Sequence, residues 1–567
     1  MQVTMRIERY ADQGRCVGHL DGRVVFVRFA LPGELVVVRM DEPMRAKAHF
    51  FTGEVVEVLE TSADRVEPQW KLAGPLAQGG GVGGADLIHV SLPGQIRWKA
   101  SVIANQFQRL AHMDIADSDI TVERMPGDEE LNGFNWRTRM ELVADDEGRL
   151  SMRKRESHDR IAIDTMPLAS RAVLAVADSL DLWNRSFSPN AQIRLAVPEP
   201  RVDGFDFNDK AALLSAIGEN YALIVNDELV AGSALLRERV RVAVDGDSSR
   251  MRTFDYDVDA SGFWQIHRAA PEHLVNYVLG LVRSALGGRT KNTVLWDLYS
   301  GSGLFTIPLA TLANVGGDSS SAVGALGTTG TFGSAEPARV LSIEGAPIAV
   351  KNARRNIGRA GLSRDIVEAL EGDVAQTLES QVFKASKSSK IVRRFAHPDV
   401  VVLDPPRAGA KAQVCKQIAK SGARAVVYVA CDPTSLARDV GTFSELGYSV
   451  QSLRAFDLYP ETHHVETVAL LSKLDVDKHI NIEIELDELD LTSAESKATY
   501  AQIKEYVWNK FELKVSTLYI AQIKRKCGIE LREHYNKSKK EKQIIPQCTP
   551  EKEEAIMDAL RHFKMIE

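Results

Sequence analysis

Cysteine is scarce in this chain of 567 residues. Five cysteines are too few and too widely spaced for a framework of disulfide bonds, and no cysteine pair or cysteine–histidine pair has the spacing of a zinc site. Disulfide-rich scaffolds and zinc-binding modules are therefore excluded. The cysteines are Cys16, Cys415, Cys431, Cys527 and Cys548.

Long hydrophobic runs are also absent. No stretch approaches 18 consecutive apolar residues, and Met1–Arg6 lacks the apolar core of a signal peptide. We therefore expect a cytoplasmic protein with no membrane partner. The length predicts three or four domains, and 44% hydrophobic and 26% charged residues are ordinary for a globular protein.

An excess of basic residues is missing as well. The 77 acidic residues outnumber the 70 lysines and arginines, so the formal net charge is −7. A protein that binds any polyanion usually has a dominant basic surface. Phosphate contacts depend, however, on where the charges lie, so a local basic groove for nucleic acid stays open.

Apolar strands alternate with helical segments between residues 290 and 472. Near-continuous valine and leucine strands separated by helices predict a doubly wound parallel sheet, because both faces of such a sheet are buried. A Gly/Ser/Thr-rich insertion at 313–336 interrupts the pattern and is expected to be a disordered loop. The predicted strands include 294–297, 340–344, 400–404, 425–430 and 465–471.

Three of these strands carry residues suited to chemistry. Asp404–Arg407 (Asp-Pro-Pro-Arg) ends one strand, Cys431 follows the next, and Glu466 lies at the start of the last. Side chains at the carboxyl end of a strand can reach a ligand over the sheet. A cysteine there suits a nucleophile, and a carboxylate suits a base. A lone cysteine after a strand is usually a small core residue, so the interpretation depends on all three together.

A glycine-containing loop, Asp297–Gly303, follows the first strand. Gly301 and Gly303 allow a tight turn and a close approach of the backbone to a ligand. Glu344 ends the second strand, where a carboxylate can bind ribose hydroxyls, and Asp373 ends a third strand, where it can accept from an adenine amine. Dehydrogenases share most of these features, so the loop alone does not identify the ligand.

The order strand–Asp-Pro-Pro-Arg, strand–Cys and strand–Glu resembles the RNA uracil-5-methyltransferase family. The resemblance covers residues 1–472 and is most specific in the last third. It implies an α/β protein with a class I methyltransferase sheet, which is Rossmann-like. It also implies S-adenosyl-L-methionine as the methyl donor and methylation of carbon 5 of uridine in RNA. The Asp-Pro-Pro-Arg segment is not a dehydrogenase feature, so it decides between the two cofactors.

The resemblance also implies roles for single residues. Cys431 would add to carbon 6, Glu466 would remove the carbon-5 proton, and Asp404 would contact the uracil edge and the donor. Thiolate addition turns the ring into an enolate that takes a methyl group at carbon 5, which is otherwise a poor nucleophile. The implied donor pocket consists of Gln265, Tyr299, Gly301, Gly303, Glu344, Asp373 and Asp404.

Short alternating strands punctuated by glycines occupy residues 1–62 and predict a small β-barrel. Their order resembles a TRAM domain, an OB-like RNA-binding barrel; the alternative is a barrel that only packs on its neighbour. We expect a central α+β RNA-binding domain at 63–285 and the methyltransferase domain at 286–472. Residues 473–567 are expected to form a helical extension, either a helix-turn-helix-like nucleic-acid binder or a packing domain.

The segment 68–90 departs from the family pattern. The family often has three cysteines here and a fourth further on, which together hold an iron–sulfur cluster. The aligned positions are Trp70, Val82, Ala85 and Met166, and a four-thiolate cluster cannot form without thiolates. We therefore expect no iron–sulfur cluster and apolar packing in its structural role.

The partner implied by the resemblance is RNA. The TRAM-like barrel favours ribosomal RNA, 23S in particular, over transfer RNA. A non-catalytic RNA-binding or assembly factor is the alternative from another class, and a 5-methylcytosine enzyme would commonly have Pro-Cys in place of Asp404–Arg407. An enzyme that acts on a stacked or paired base must flip it out, which costs a few kcal/mol. A monomer is expected.

Overall fold

The chain divides into two compact units, Met1–Asp475 and Val476–Glu567. The predicted insertion at 313–336 lies outside the described residues, as do 474–499 and 528–549 of the C-terminal extension. A computed structural model describes residues 1–42, 48–155, 157–201, 205–244, 247–289, 292–312, 338–473, 500–511, 513, 515, 517–527, 550–563 and 565–566.

Six strands at the N-terminus form one sheet, in the order β1-β5-β6-β4-β3-β2. Neighbouring strands are antiparallel except β4 and β6, which run parallel. Alternate residues such as Val25, Val27, Val36 and Val38 are fully buried, as expected of strands with one face toward a core. The strands are β1 (Gln2–Arg6), β2 (Arg9–Tyr10), β3 (Arg15–Leu20), β4 (Arg23–Arg28), β5 (Leu35–Met40) and β6 (Phe50–Glu60).

The next part of the chain forms a second six-stranded sheet, in the order β10-β9-β8-β11-β12-β13, followed by a long hairpin of β14 and β15. Both are antiparallel. The elements are α1 (Leu92–Gln106), β7 (Thr121–Arg124), β8 (Arg139–Ala144), β9 (Leu150–Arg153), β10 (Arg160–Ala162), α2 (Arg171–Ser179), β11 (Gln192–Ala196), α3 (Lys210–Ile217), β12 (Ala222–Val225), β13 (Glu228–Gly232), β14 (Leu235–Val244), β15 (Asp247–Asp259) and α4 (Ala270–Ala285).

The four residues aligned with the cluster cysteines share one hydrophobic core, which joins the N-terminal sheet to the second sheet. Trp70, Val82, Ala85 and Met166 are each at most 5% exposed. Within the described ranges, no group of three or more histidine, cysteine or acidic side chains is arranged to bind a metal ion. Apolar side chains fill these positions, so they do not fit an iron–sulfur cluster.

An eight-stranded sheet follows, in the order β18-β17-β16-β19-β20-β22-β21-β7. Helices lie between successive strands from β16 to β21, as predicted for a doubly wound fold. The elements are β16 (Val294–Leu298), α5 (Thr306–Thr311), β17 (Arg339–Glu344), α6 (Pro347–Arg359), β18 (Val367–Glu371), α7 (Val374–Thr377), α8 (Lys390–Phe395), β19 (Val400–Leu403), α9 (Lys411–Ser421), β20 (Ala425–Ala430), α10 (Pro433–Glu445), β21 (Tyr448–Asp457) and β22 (Glu466–Lys473).

The prediction of a parallel sheet holds for five strands, β16 to β20, and needs correction beyond them. Strand β22 runs antiparallel to both β20 and β21, because β21 and β22 are joined by a short loop rather than a helical crossover. Strand β7, from the region assigned to the central domain, adds a parallel edge beside β21. The reversal places the first residue of β22 next to the last residues of β20.

The second unit, taken alone, contains three helices in its described residues. They are α11 (Tyr500–Phe511), α12 (Thr517–Lys526) and α13 (Pro550–His562). Their apolar faces form a small core that includes Ile503, Val507, Ile520 and Ile556. Among the described helices of the whole chain, none is long and apolar enough to cross a membrane.

Candidate active site

A cavity of about 790 Å³ opens at the carboxyl ends of the parallel strands. Doubly wound sheets bind their ligands at this edge, because the strand-to-helix loops there leave a crevice. Eight of the nine residues selected from the sequence line it: Cys431, Glu466, Asp404, Gln265, Tyr299, Gly301, Glu344 and Asp373.

Gly303 is the ninth selected residue and does not line the cavity. Its φ is +90°, and a β-carbon added there would lie 3.7 Å from Ala353 of α6. A contact of that length is ordinary, so it is the positive φ that requires glycine here and lets the loop after β16 turn sharply. Gly301, with φ +55°, does face the cavity, and its N–H donates to Oε2 of Glu344 at 2.9 Å.

Two carboxylates are fixed by backbone N–H groups at the ends of β17 and β18. Glu344 accepts a second hydrogen bond from the N–H of Ala346 at 2.7 Å. Asp373 accepts from the N–H of Gln376 at 3.0 Å and so caps the first turn of α7. Both side chains therefore hold their strand-to-helix turns while lining the cavity.

Cys431 directly follows β20 and is half-buried. Asp432 behind it caps α10, since its Oδ1 accepts from the N–H groups of Thr434 at 2.7 Å and Ser435 at 3.2 Å. Burial, followed by the charges of Glu466 and Asp404, raises the pKa of the Cys431 thiol to about 12. In the protein without ligands, this cysteine is therefore a protonated thiol at neutral pH.

Glu466 begins β22, one position before Thr467, which pairs with Ala430 at the end of β20. This pairing brings the carboxylate beside the cysteine although the two are far apart in sequence. Glu466 is 2% exposed, and its Oε1 is buried without a hydrogen-bond partner among the residues that the structure describes. Burial, followed by the charge of Asp404, raises the pKa of Glu466 well above its ordinary value.

Carboxylates from the ends of β17, β18 and β19 and from the start of β22 thus line one cavity. Asp297 is buried in β16 and does not line the cavity; burial is the main cause that raises its pKa to about 7, and Glu344 adds to it. Burial, with Asp297 and Glu344 behind it, raises the pKa of Asp404 to about 7. Such a site disfavours additional negative charge and favours a cationic ligand, because each carboxylate gains a partner for its charge.

Residues from the second sheet and from the β21–β22 loop complete the cavity, and the set selected from the sequence omitted them. Arg137 donates its Nε–H to the Arg139 carbonyl at 2.7 Å and lies over the ring of Trp136 at 5.9 Å. The basic segment around Arg137 signals an RNA-facing strand, but not its place in this cavity. Tyr459 and His464 also line the cavity, with no sequence signal beyond their nearness to Glu466.

Tyr459 presents its hydroxyl to this space. Its ring packs edge-on against Trp136 and His464, with centroids 5.9 and 6.0 Å away. Its hydroxyl forms no hydrogen bond with any residue that the structure describes. Burial, followed by the charges of Glu466 and Cys431, raises the pKa of Tyr459 well above its ordinary value, so the hydroxyl remains a donor.

Family comparisons agree with this geometry. The family described as tRNA (uracil-5-)-methyltransferase matches residues 334–474, and the TRAM domain matches residues 2–58. The chain is similar to the crystal structure of Pyrococcus abyssi tRNA (uracil-54, C5)-methyltransferase in complex with S-adenosyl-L-homocysteine. That likeness has a TM-score of 0.52 at 19% identity, covers 82% of this chain and 99% of the other, and concerns the fold.

Full-length relatives extend the match. The chain is 54% identical over 473 residues to an uncharacterized RNA methyltransferase of Bifidobacterium longum, covering 83% of this chain and 97% of that protein. It is 36% identical over 485 residues to an uncharacterized RNA methyltransferase of Streptomyces avermitilis, covering 83% and 98%. The chain therefore belongs to the family of RNA (uracil-5-)-methyltransferases and carries an N-terminal TRAM domain.

Proposed function

We propose that this protein methylates carbon 5 of uridine in RNA with S-adenosyl-L-methionine, through a covalent bond between Cys431 and carbon 6. The observation that carries the proposal is the meeting of Cys431, Asp404 and Glu466 in the cavity that also contains Glu344 and Asp373. A nucleophile and a base thus share a space with carboxylates suited to a nucleoside. A protein that only binds RNA would need neither the nucleophile nor the base.

The cavity residues fit the methyl donor. Glu344 is placed to accept from ribose hydroxyls and Asp373 from the adenine amine, while the backbone at Gly301 allows close approach. The desolvated carboxylates favour the positive charge that distinguishes this donor from most nucleosides. When bound, S-adenosyl-L-methionine supplies an electrophilic methyl group. The S-adenosyl-L-homocysteine complex of the similar Pyrococcus abyssi enzyme supports this donor class.

Cys431 opens the reaction. Its thiol must lose a proton, for which Asp404 is a nearby acceptor whose charge acts on it, so that Glu466 stays ionised for the last step. The thiolate sulfur bonds to carbon 6, and the electron pair of the C5=C6 bond moves toward the carbonyl oxygen on carbon 4, which gives an enolate. Carbon 5 then acts as the nucleophile and bonds to the methyl carbon, while the methyl–sulfur bond of the donor breaks and its electron pair stays on that sulfur.

Hydrogen-bond donors around the uracil ring stabilise the enolate intermediate. Arg137 and Tyr459 both line the cavity, and their guanidinium N–H and phenol O–H groups can donate hydrogen bonds. A fixed donor in a poorly solvated site stabilises developing negative charge without having to reorient. We therefore assign both residues to the side of the cavity that receives the uracil ring.

Glu466 completes the cycle as a base. It takes the proton from carbon 5, the C–H electron pair re-forms the C5=C6 double bond, and the C6–S bond breaks to release the Cys431 thiolate. A carboxylate whose pKa is raised by burial is a stronger base than an exposed one. The environment of Glu466 therefore suits this step.

The RNA proposed as substrate is 23S ribosomal RNA, with transfer RNA as the alternative suggested by the names of the matched family and of the similar structure. The TRAM sheet supports an extended RNA contact. Phe50 is 52% exposed and packs edge-on against Phe26 at 5.4 Å, and Arg23 lies over Phe51 at 5.4 Å. Exposed aromatic rings beside an arginine suit the stacking of unpaired bases.

The test uses ribosomal RNA and transfer RNA that contain 5-fluorouridine, each mixed with the protein and S-adenosyl-L-methionine. Fluorine cannot leave carbon 5 as a proton does, so the covalent adduct should accumulate and migrate slowly on a denaturing gel. Cys431→Ala is the control. Cys415→Ala is a matched control, because Cys415 is a fully buried thiol in α9 and should not affect the adduct.

An adduct with ribosomal RNA that requires Cys431 and the donor would support the whole proposal. An adduct with transfer RNA alone would keep the reaction and change the substrate. If neither RNA forms an adduct while both bind, the protein is a binding or assembly factor and the catalytic proposal is wrong.

A further inference from the structure

The loop between β21 and β22, residues 458–465, carries three residues of the cavity. Tyr459, Thr462 and His464 line it, and the loop leads directly into Glu466. The backbone of Glu461 has φ +67°. A non-glycine residue in the left-handed region costs free energy and persists only where the surroundings hold it. The position of the proposed base therefore depends on what holds this loop.

One set of contacts holds Glu461 itself. The side-chain amide of Gln95, on α1, donates to Oε1 of Glu461 at 3.1 Å, and its oxygen accepts from the N–H of Glu461 at 2.9 Å. The N–H of Leu87 donates to the Glu461 carbonyl at 2.9 Å. All three hydrogen bonds come from the segment between the N-terminal sheet (β1–β6) and the second sheet. That segment therefore holds the loop in place.

Asp86 supplies a second contact, and this one is charged. Its Oδ2 accepts from the N–H of His463 at 2.9 Å and also from Nδ1 of the same histidine. The His463 ring lies 4.0 Å from the ring of His464, centroid to centroid. On the other side of His464, a guanidinium nitrogen of Arg407 approaches Nε2 at 3.4 Å. Asp86 is thus linked through two rings to the Asp-Pro-Pro-Arg segment.

Asp86 lies in a segment that is anchored in the hydrophobic core. It follows Ala85, one of the four positions at which the family often has a cluster cysteine. Its neighbours Val82, Ala85 and Leu87 are at most 1% exposed, so the segment 82–87 is anchored in the core. An anchored segment with one carboxylate directed at the loop is a rigid support for that loop.

We propose that Asp86 is a positioning residue: the segment 82–87 clamps the loop 458–465 through His463 and so sets the placement of His464 and Glu466 in the cavity. This rests on the proposed function, because the placement concerns the base and the uracil-facing residues. In this chain, packing and the half-buried contact between Asp86 and His463 hold the loop where no cluster can form. Asp86 touches neither the cysteine nor the base; it acts through His463.

The experiment compares Asp86→Ala and Asp86→Asn with Asp64→Ala. Asp64 is a matched control, because its side chain is 20% exposed against 17% for Asp86. It bonds Ser91 at 3.1 Å and pairs with Arg97, but it does not contact the loop. The measurements are the turnover rate, the KM for donor and for RNA, and hydrogen exchange of the amides in 458–465.

Asp86→Ala should lower kcat by roughly 10- to 100-fold, because misplacing a reacting group by about 1 Å can cost 10²-fold. Its KM for the donor should stay at the wild-type value, and the His463 amide should exchange faster. Asp86→Asn should recover part of kcat, because the amide oxygen still accepts from the His463 N–H. A residue that only supports the fold would instead change kcat, KM and the unfolding temperature together.

The proposed clamp is wrong if Asp86→Ala has the same turnover rate and the same amide exchange rates in 458–465 as Asp64→Ala. It is also overturned if the exchange of the His463 amide is unchanged whatever the activity. That second readout needs no RNA substrate, so it separates the two proposals. A wild-type protein that methylates neither RNA would defeat the proposed function, and the exchange rates would still decide whether Asp86 holds the loop.

Discussion

Glu466 shows at the scale of one residue how a fold changes the chemistry of a side chain. It begins β22 in a space that is almost closed to solvent and already holds other carboxylates. Burial and like charge both oppose its ionisation, so it holds its proton to a higher pH than an exposed glutamate. The same property makes its removal informative.

Glu466→Gln should trap the covalent intermediate on RNA with ordinary uridine. The thiolate can still add and carbon 5 can still be methylated, but the carbon-5 proton has no base, so the C6–S bond persists. Turnover should fall by roughly 10²- to 10⁴-fold, the usual contribution of a positioned base. Donor labelled in its methyl group should leave label on a slowly migrating protein band; free methylated RNA at wild-type rates would contradict the assigned role.

Tyr459→Phe tests a single hydroxyl. The substitution keeps the ring contacts with Trp136 and His464 and removes only the O–H donor to the cavity. Loss of one fixed hydrogen-bond donor to a developing oxyanion should lower kcat by roughly 10²- to 10³-fold. The KM for S-adenosyl-L-methionine should stay unchanged. Tyr277→Phe is the control, since its hydroxyl bonds Ser452 outside the cavity. Equal kcat values for the two variants would remove Tyr459 from the mechanism.

At the scale of elements, the junction of β20 and α10 places Cys431, the proposed nucleophile. The strand ends at Ala430, Asp432 caps the helix, and Cys431 is the one residue between them. A strand and a capped helix each restrict the backbone, so the residue between them has little freedom. The cap of α10 should therefore matter to catalysis as well as to stability.

Asp432→Ala should lower the free energy of unfolding by about 1 kcal/mol, the usual cost of losing an N-cap, and should also lower kcat. Asp209→Ala is the matched control, because Asp209 caps α3 by accepting from the N–H groups of Ala211 and Ala212 and does not line the cavity. Denaturant unfolding and single-turnover rates would be compared. If the two variants lose equal stability and neither loses activity, the cap does not position Cys431.

The sequence predicts the strands and helices of this fold better than the contacts between them. Strands such as β16, β19 and β20 are nearly continuous valine and leucine, so their positions and burial follow from composition alone. Strand β7 is four residues with alternating polar character and becomes a strand only because β21 offers an edge. Local pattern cannot reveal a partner that is more than 300 residues away.

The candidate site divides in the same way. Residues at strand ends, such as Asp404 and Cys431, are predictable because the sheet brings all carboxyl ends of parallel strands together. Arg137 and Tyr459 reach the cavity from the second sheet and from a hairpin loop, through tertiary packing that no periodicity encodes. Glu466 is intermediate: its strand is predicted, but its nearness to Cys431 depends on the antiparallel pairing of β22.

At the scale of the whole molecule, the buried carboxylates link stability to pH. The pKa of Asp404 in the folded protein is about 7, against 3.8 in an unfolded chain. Between these values the folded protein holds a proton that the unfolded chain releases. The favourable contribution of protonated Asp404 to the free energy of unfolding is therefore complete below about pH 4 and is lost as the pH rises through 7.

Asp404→Asn should stabilise the protein without ligands at pH 8, because it removes a carboxylate that is ionised in a poorly solvated place. The gain should be roughly 1–4 kcal/mol at pH 8 and smaller at pH 5, where the folded wild-type side chain is protonated. Thermal unfolding at the two pH values checks this, with the exposed pair member Asp255→Asn as control. A variant no more stable than wild type at pH 8 would contradict the argument.

Removal of residues 476–567 should leave methylation of purified RNA within about twofold of the full chain, a change too small to count as loss of a transition-state contact. Every residue that lines the cavity lies in the unit Met1–Asp475. The Bifidobacterium longum relative matches over 473 residues, which is 97% of that protein. Loss of the adduct with 5-fluorouridine RNA on truncation would show instead that the second unit takes part in substrate binding.

The pairing of β20 with β22 has a consequence for how this enzyme can change over evolution. The hydrogen bonds of the ladder set the register of Cys431 and Glu466, whatever the length of the turn between α10 and β21. This helix and this strand lie between the two residues, and they meet at a turn at Gly447, whose φ is +84°. Insertions at that turn would lengthen the protein yet leave the reacting pair in register, so new appendages can arise there without loss of chemistry.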